Sequence, residues 1–493
     1  MRDYSPKRRT ALVLAGSGTS GAYHAGVLKA LDESGVKIDL LVGSGAGTVA
    51  AAFGAVAGGS HLYGRDGFWE GVRWASFYRL RPLLRAAALI LGSAFCVFLL
   101  PMLLAIVMGV LFPVAMLVDA LLPGLLSRLL EAVSAAPEAL RVPYLAALAA
   151  PSLVLSAVLF VALVRLLWRD PRRLGESLEN PIDVEPAQAR LRRFLGEVSR
   201  GASVPGAPPS EAELGRRYVA LASENLGQPG FRELILRAAD LETGDALPFV
   251  LLADAQRSAF AEARSRGPRS RVEGIPGAVD LRAPGYEALL FDAVMTGLLP
   301  PLAAPVRRVR FPRRGVHGGE VHRLCDATLT GGCGIAEALA AGAEQVIVAT
   351  AVPEAPHPPP RRRGPWALLD GQVAALERRA VEQDLHLAER LNRIVQTLGQ
   401  PRGEEGEPSW EDPATGRRYR AFGLYVVRPE RRCLGPLELD GARDPATEVV
   451  ESPEDLQERG CRDAYRAFIE PVVGAAPEPP APRDEAAGRL VDL

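Results

Sequence analysis

The chain has few residues suited to metal binding or disulfide formation, and it carries almost no net charge. Its 493 residues include five cysteines and six histidines, which show no CxxC or CxxxH spacing, so neither a disulfide framework nor a metal site is predicted. A formal net charge of −1 provides no field that would attract polyanions, and we therefore predict no nucleic-acid partner. The basic start leads into a predicted strand instead of an apolar signal-peptide core, which predicts a cytoplasmic amino terminus.

Two long apolar stretches interrupt this otherwise ordinary composition. Residues 86–127 contain one charged side chain, Asp119, and residues 142–164 contain none, whereas a membrane-spanning helix needs about 20 apolar residues. We predict a transmembrane hairpin with helices over residues 86–118 and 144–167. The alternatives are that residues 86–127 cross twice, or that both stretches are buried core helices. Arginines flank the two stretches and place both flanks in the cytoplasm by the positive-inside rule: Arg73, Arg79, Arg81, Arg85, Arg165, Arg169, Arg172 and Arg173.

Outside these stretches the chain alternates predicted strands and helices, which is typical of a mixed α/β domain. Strands are predicted over residues 249–254, 306–311, 345–350 and 418–427, and helices over residues 288–299 and 368–398. The chain is accordingly divided into an α/β domain (residues 1–80 and 230–354), a membrane insertion (81–174), a polar linker and return (175–229), an accessory α/β region (355–474) and a disordered tail (475–493). We predict a multi-pass protein of a bacterial-type cytoplasmic membrane, with the α/β domain in the cytoplasm.

The first 60 residues contain two strand–turn–helix units with glycine-rich turns. TALVLA (10–15) leads into the loop Gly16, Ser17, Gly18, Thr19, Ser20 and Gly21, and IDLLV (38–42) leads into the turn Gly43, Ser44, Gly45, Ala46 and Gly47. Backbone N–H groups of such a loop at a helix start attract an anion. Turns at the carboxyl ends of neighbouring parallel strands meet in one crevice. The glycine spacing of the first loop also matches the dinucleotide-binding fingerprint, although Val42 and Gly43 stand where an acidic residue would end the second strand.

Three motifs, in the same order, resemble those of the patatin-like phospholipase family. LAGSGTSGAYHAGVLKAL (14–31) resembles the glycine-rich oxyanion loop GGGxRGAYxAGVL, with Ser17 and Ser20 as departures. VGSGAGTVAA (42–51) stands at the place of the GxSxG nucleophile elbow, and the segment RLCDATLTGG (323–332) stands at the place of the DG[GA] motif, which puts Asp326 at the dyad aspartate. The resemblance implies a three-layer αβα fold with a mainly parallel central sheet, here interrupted by the membrane hairpin, and a Ser-Asp lipid acyl hydrolase that needs no cofactor.

The departures from these motifs bear directly on the chemistry. The nucleophile slot of the elbow is Gly45, which has no oxygen with which to form an acyl-enzyme, although glycine tolerates the strained dihedral angles of the bend. Ser44 is one residue early, and on a strand this displacement turns a side chain to the opposite face. Asp326 is followed by Ala327 and Thr328 instead of small glycine-like residues, so it either acts as the dyad aspartate or caps the turn.

These residues predict a membrane-anchored protein that binds membrane lipids or acyl ligands and whose acyl hydrolase activity is impaired or lost. One alternative is an active phospholipase or esterase that uses Ser44 with Asp326 and the glycine loop as oxyanion hole. The alternative of another class is a dinucleotide-binding protein. His24 is predicted to pack under the loop, while His317 and His322 flank a predicted hairpin without metal-ligand spacing, so the predicted site contains no metal. The sequence specifies neither an oligomeric state nor a protein partner.

Overall fold

The computed structural model divides the chain into two compact units. One unit consists of Met1–Arg79 and Val184–Leu493, and the other of Leu80–Asp183. The structure describes residues 4–63, 66–73, 77–93, 180–199, 209–265, 277–313, 317–330, 332–354, 365–400, 408–413, 418–430, 442–443 and 450–474, with isolated residues between 95 and 168.

Strands and helices alternate through most of the described residues. In chain order the strands are β1 (Thr10–Gly16), β2 (Leu40–Gly45), β3 (Arg79–Leu80), β4 (Ile182–Asp183), β5 (Glu233–Asp240), β6 (Ala246–Leu251), β7 (Val279–Asp280), β8 (Arg307–Arg310), β9 (Val321–Asp326), β10 (Gln345–Thr350), β11 (Ser409–Glu411), β12 (Arg418–Arg420), β13 (Gly423–Val427), β14 (Ala442–Arg443) and β15 (Val450–Glu451). Outside residues 82–168, the α-helices of the described residues are α1 (Gly21–Glu33), α2 (Gly47–Gly54), α3 (Glu185–Ser199), α4 (Glu211–Asn225), α5 (Asp254–Ser265), α6 (Leu290–Gly297), α7 (Ile335–Ala340), α8 (Pro365–Leu398) and α9 (Pro453–Ala464).

The first unit is built around a mostly parallel central sheet. Its strand order is β13-β10-β1-β2-β5-β6-β7, and the first five of these strands run parallel to one another. Strand β6 runs antiparallel to β5. All residues of β1, β2 and β10 are buried, which explains why these strands are apolar almost throughout instead of alternating. The predicted mixed α/β fold with a mainly parallel sheet is confirmed.

Helices cover both faces of this sheet, which gives three layers. On one face, α5, α7 and α8 pack with alternate sheet residues in one hydrophobic core, with Phe260, Ile335 and Leu385 among the helical contributors. On the other face α2 and α6 pack on β2 and β5, and α1 packs on α2. The last α-helix, α9, lies so close to α1 that a Cβ at Gly26 or Gly460 would overlap backbone atoms of the other helix.

Strand β9 brings a carboxylate to the end of β2. Strand β5 is longer than β2, and its register passes from Ser44 beside Arg237 to Asp326 beside Ala238. Strand β9 therefore takes up the edge of β5 where β2 stops. This antiparallel arrangement places Asp326 next to the turn that follows β2.

The structure differs from the predicted division of the chain at three places. The segment predicted as linker and return, residues 175–229, contains α3 before it returns to the fold with α4, and the many charged residues of α3 make its apolar face hard to see in the sequence. The region predicted as accessory, residues 355–474, contributes α8 and the edge strand β13 to the central fold. The predicted strand 418–427 is two strands, because the Asn392 side chain accepts from the N–H and donates to the carbonyl of Phe422 between them. The predicted tail, residues 475–493, lies outside the described residues.

The second unit holds the predicted membrane hairpin, most of which lies outside the described residues. Residues 82–93 are helical, and so are the isolated described residues from 95 to 168. Strands β3 and β4 pair, and the Arg81 N–H donates to the Pro181 carbonyl at 2.9 Å. Among the described residues, no helix combines the length and the apolar character needed to cross a membrane.

Candidate functional site

The glycine loop and the glycine turn lie side by side at the carboxyl edge of the sheet. Strands β1 and β2 are parallel neighbours whose register ends with Gly16 beside Gly45. The N–H of Ala46 donates to the Gly16 carbonyl at 2.6 Å. The two turns that the sequence predicted to converge on one crevice therefore touch through their backbones.

The turn after β2 leaves no room for side chains at its glycines. A Cβ at Gly43 would lie 2.6 Å from the Cα of Thr48, and a Cβ at Gly47 would overlap the Leu14 carbonyl. From the other side α6 approaches so closely that a Cβ at Gly297 would overlap the Gly45 carbonyl oxygen. The sharp bend between β2 and α2 thus depends on backbone packing that only glycine permits.

Gly45 faces the carboxylate that the sequence placed in the dyad. Its φ is +60°, and a Cβ built there would lie 3.0 Å from Asp326 Oδ1. The same Cβ would overlap Thr328 Oγ1, so the Thr328 hydroxyl occupies the space that a side chain at position 45 would need. The structure therefore brings the vacant slot and Asp326 together and fills the slot with a third residue.

Asp326 is bonded within its own turn instead of to a nucleophile. Its Oδ1 accepts from the Thr328 N–H at 2.7 Å and from the Thr328 hydroxyl. Its Oδ2 is buried and has no hydrogen-bond partner among the described residues. Burial raises the pKa of Asp326 to about 8, the negative charge of Glu377 adds to the increase, and the Thr328 hydrogen bonds oppose it. The Asp326 carboxyl thus titrates near neutral pH instead of far below it, while the oxygen nearest position 45 is already bonded to Thr328.

Ser44 lies on the opposite face of β2 from the Gly45 slot. It follows Val42 at the two-residue period of a strand, and Val42 packs beside Gly334 at the start of α7. The Ser44 hydroxyl is fully buried and has no hydrogen-bond partner among the described residues, so no bond joins it to Asp326. The arrangement does not activate Ser44 as a nucleophile.

The glycine loop binds an anion that belongs to the chain itself. Glu377 on α8 accepts from the Ser17 N–H at 3.0 Å with one carboxylate oxygen and from the Ser17 hydroxyl at 3.1 Å with the other. Gly18, at φ +64°, turns the chain into a single 3₁₀ turn with Thr19, and the Ser20 hydroxyl donates back to the Ser17 carbonyl at 3.0 Å. The loop N–H groups were predicted to bind an anionic ligand, and in the structure the Ser17 N–H donates to the Glu377 carboxylate.

Glu377 was not predicted as a site residue, although the helical pattern of α8 contains a signal. Residues Val373, Glu377, Val381 and Leu385 follow one another at four-residue spacing on the buried face of α8. An acidic residue on an otherwise apolar stripe is rarely buried unless it is paired. Its partner, Ser17, is 360 residues away and could not be found from local pattern.

Contacts of helix α1 hold the glycine loop in place. A Cβ at Gly21, the first residue of α1, would overlap the Trp69 ring. The His24 ring lies under the loop with Nε2 3.2 Å from the Ala15 carbonyl, and burial lowers the pKa of His24 to about 4, so this imidazole is neutral.

Strand β2 ends in Gly43, Ser44 and Gly45, which offer no carboxylate to a ribose as a dinucleotide site would need.

Comparisons with known proteins give little beyond this geometry. No family model matches the chain, and no curated protein matches it. Among solved structures, the chain is similar to the crystal structure of VipD from Legionella pneumophila, with a TM-score of 0.29 and 11% sequence identity, over 94% of this chain and 68% of that one. A likeness of this size carries no information about the activity of this chain.

Proposed function

We propose that this protein is a membrane-anchored, patatin-like lipid-binding protein that has lost acyl hydrolase activity. The observation that carries the proposal is the position of Gly45: a Cβ built there would lie 3.0 Å from Asp326 Oδ1, but glycine provides no side-chain oxygen. The three motifs that resemble the patatin-like family meet at this point, as they would in a Ser-Asp hydrolase. The reacting hydroxyl is missing from its place at Gly45.

The groups around the slot are also engaged in ways that oppose catalysis. A Ser-Asp hydrolase needs a hydroxyl that gives its proton to the carboxylate, and backbone N–H groups that are free to bind the oxyanion. Here Thr328 occupies the carboxylate oxygen nearest the slot, and the N–H groups of Ala46 and Ser17 donate to Gly16 and Glu377. An acyl ligand would have to displace the Glu377 carboxylate from the loop, which suits reversible binding better than turnover.

The proposed membrane anchor is supported by the surface of the second unit. Large apolar side chains on its described residues are exposed: Leu89, Leu91, Phe95, Val110, Leu117, Val154, Leu155, Val158, Phe160, Val161 and Trp168. Exposed apolar surface of this extent in one unit indicates contact with a membrane or a partner. The two arginine-rich flanks favour a hairpin that enters and leaves on the same side.

A test of catalysis uses the full chain in detergent. The wild-type protein is incubated with a fluorophosphonate probe and, separately, with phospholipid vesicles in which released fatty acid is measured. We expect neither labelling nor release, because the reagent modifies activated hydroxyls and glycine has none. The matched control is Ser44→Ala, and a Gly45→Ser/Thr328→Ala variant shows whether the reagent reaches the slot.

The outcomes separate the proposal from an active hydrolase. Fatty-acid release by the wild type that disappears in Ser44→Ala would show that Ser44 is the nucleophile and would refute the proposal. Labelling that maps to Thr328 would show that its hydroxyl reacts with Asp326 as base.

Lipid binding is tested by photocrosslinking in vesicles. A phospholipid with a photoreactive acyl chain is incorporated with the full chain, and the crosslinked peptides are mapped. We expect crosslinks in residues 10–31 and 40–54 as well as in the second unit. Crosslinks confined to the second unit would show an anchor without a lipid site in the crevice.

A further inference from the structure

A tight turn between β8 and β9 brings two histidines and a glutamate together, outside the site already described. The N–H of Glu320 donates to the His317 carbonyl at 2.8 Å, and the N–H of Gly319 donates to the Pro312 carbonyl at 3.0 Å. Gly318 and Gly319 have φ angles of +38° and +86°, the positive pair that a hairpin turn of type I′ requires. The turn therefore holds His317 and Glu320 at its two ends, with His322 two residues further along β9.

The side chains of these three residues converge. One potential ligand atom from each of His317, Glu320 and His322 lies within 4.8 Å of the other two. The distance from His322 Nε2 to Glu320 Oε2 is 3.2 Å. Ligands about 2.0–2.2 Å from a tetrahedral zinc ion lie roughly 3.3 Å apart, and the His322–Glu320 pair already has this separation.

A second carboxylate orients the inner histidine. His322 Nδ1 lies 2.8 Å from Asp240 Oδ2, and both residues are buried. Asp240 is itself held in place, because its oxygens accept from the Glu242 N–H at 3.0 Å and the Thr243 hydroxyl at 3.1 Å. A carboxylate on one ring nitrogen fixes the tautomer that offers the other nitrogen to a metal, and metal-binding histidines commonly have such a partner.

The outer histidine has a buried nitrogen without a partner. His317 Nε2 is inaccessible and makes no hydrogen bond among the described residues. The Phe311 ring packs at 4.6 Å from the His317 ring and at 5.0 Å from the His322 ring, which limits how far either can turn. A buried polar atom left unsatisfied is costly, and a ligand bonded to Nε2 would remove that cost.

We infer that His317, Glu320 and His322 bind a divalent transition-metal ion, for which zinc is the best match. Two imidazoles and one carboxylate form a donor set that zinc accepts, with the fourth position left to water. No metal was predicted here, because His317 and His322 lack the spacing of the common zinc motifs; the turn is what brings Glu320 beside them. Without a metal, the alternative is a protonated His322 shared between Asp240 and Glu320.

The test is a zinc titration of the metal-stripped full chain in detergent by calorimetry, with the visible absorption of the Co²⁺ form as a second readout. We expect one ion per chain, and an affinity lowered about 10-fold or more in His317→Ala and in Glu320→Gln. The matched control is His386→Ala/Glu389→Gln, which removes an exposed histidine–glutamate pair 3.7 Å apart on α8 and should leave the affinity unchanged. Ca²⁺ and Mg²⁺ should not compete.

Unfolding midpoints in the presence of a chelator show whether each variant is folded. Glu320 is exposed, so Glu320→Gln carries the test even if His317→Ala is unstable. No saturable zinc binding, or binding that is equal in wild type and Glu320→Gln, would overturn the inference. If His322 loses its proton as the pH rises and added zinc does not change this loss, the shared imidazolium is favoured and the metal site is overturned.

Discussion

Adding one methyl group at position 45 tests whether the slot is filled as described. A Cβ there would overlap Thr328 Oγ1 and the Gly16 carbonyl oxygen, and the residue would keep a φ of +60°. A non-glycine residue at positive φ costs about 1–3 kcal/mol, and overpacking of a closed core costs about 1–3 kcal/mol more. We therefore expect Gly45→Ala to lower the free energy of unfolding by about 2–6 kcal/mol.

Gly71→Ala is the matched control for the cost of placing a non-glycine residue at positive φ without overlap. Gly71 has a φ of +61°, and a Cβ there meets no heavy atom within 4 Å. The difference between the two variants then measures overpacking, with an expected size of about 1–3 kcal/mol. Urea unfolding of the detergent-solubilised chain, followed by tryptophan fluorescence, gives the free energies.

A double-mutant cycle with Thr328→Ala tests whether the Thr328 hydroxyl is a group that a side chain at position 45 overlaps. Removing the Thr328 hydroxyl eliminates one of the two overlaps, so Gly45→Ala should cost less in the Thr328→Ala background, with a coupling of about 0.5–3 kcal/mol. If Gly45→Ala costs no more than Gly71→Ala, and the pair is additive within about 0.5 kcal/mol, the threonine does not fill the slot and the packing argument is wrong.

Three further predictions concern residues around the slot. Because burial raises the pKa of Asp326 to about 8, the folded chain binds more protons than the unfolded chain between about pH 4 and 8. The free energy of unfolding should therefore fall as pH rises through that range. This pH dependence should be weaker in Asp326→Asn, and urea midpoints at pH 5 and 8 measure it. Gly297→Ala should destabilise by about 1–3 kcal/mol through overlap with the Gly45 carbonyl, whereas Gly371→Ala on an open face of α8 should stabilise by up to about 1 kcal/mol in the same assay. Glu377→Ala should increase crosslinking of the glycine loop by acidic acyl probes, because the competing carboxylate is gone; unchanged crosslinking would mean that Glu377 does not block the loop.

The parts of the fold that sequence predicted best are those whose pattern is local. Strand β10 was predicted with its bounds of Gln345–Thr350, because a short apolar run between turns is typical of a fully buried strand. Helix α3 was missed because its buried face consists of a few residues among many arginines and glutamates. The edge strand β13 was predicted as part of a longer strand, but its membership of the central sheet depends on pairing with β10, which no local pattern reveals.

In the candidate site, too, the local motifs were predictable from the sequence and the contacts between distant residues were not. The motifs predicted that the glycine loop, the Gly45 turn and Asp326 belong together, and they do lie together. The residues that decide what the site can do were not predictable, because they act across space. Thr328 follows Asp326 by two positions, but its hydroxyl reaches the slot only through the geometry of the turn after β9. Glu377 reaches the loop from a helix near the other end of the sequence.

The pairing of β1 with β10 also has a consequence for biosynthesis. Thr10 lies beside Gln345, so the first strand made must wait for some 335 residues before its second neighbour leaves the ribosome. At about 5–20 residues per second this delay is roughly 17–67 s. Until then the edge of β1 that pairs with β10 has no partner, and an unpaired strand edge is prone to aggregate. Chaperones that act on nascent chains should therefore matter more for the yield of this protein than for one whose sheet is formed from consecutive strands.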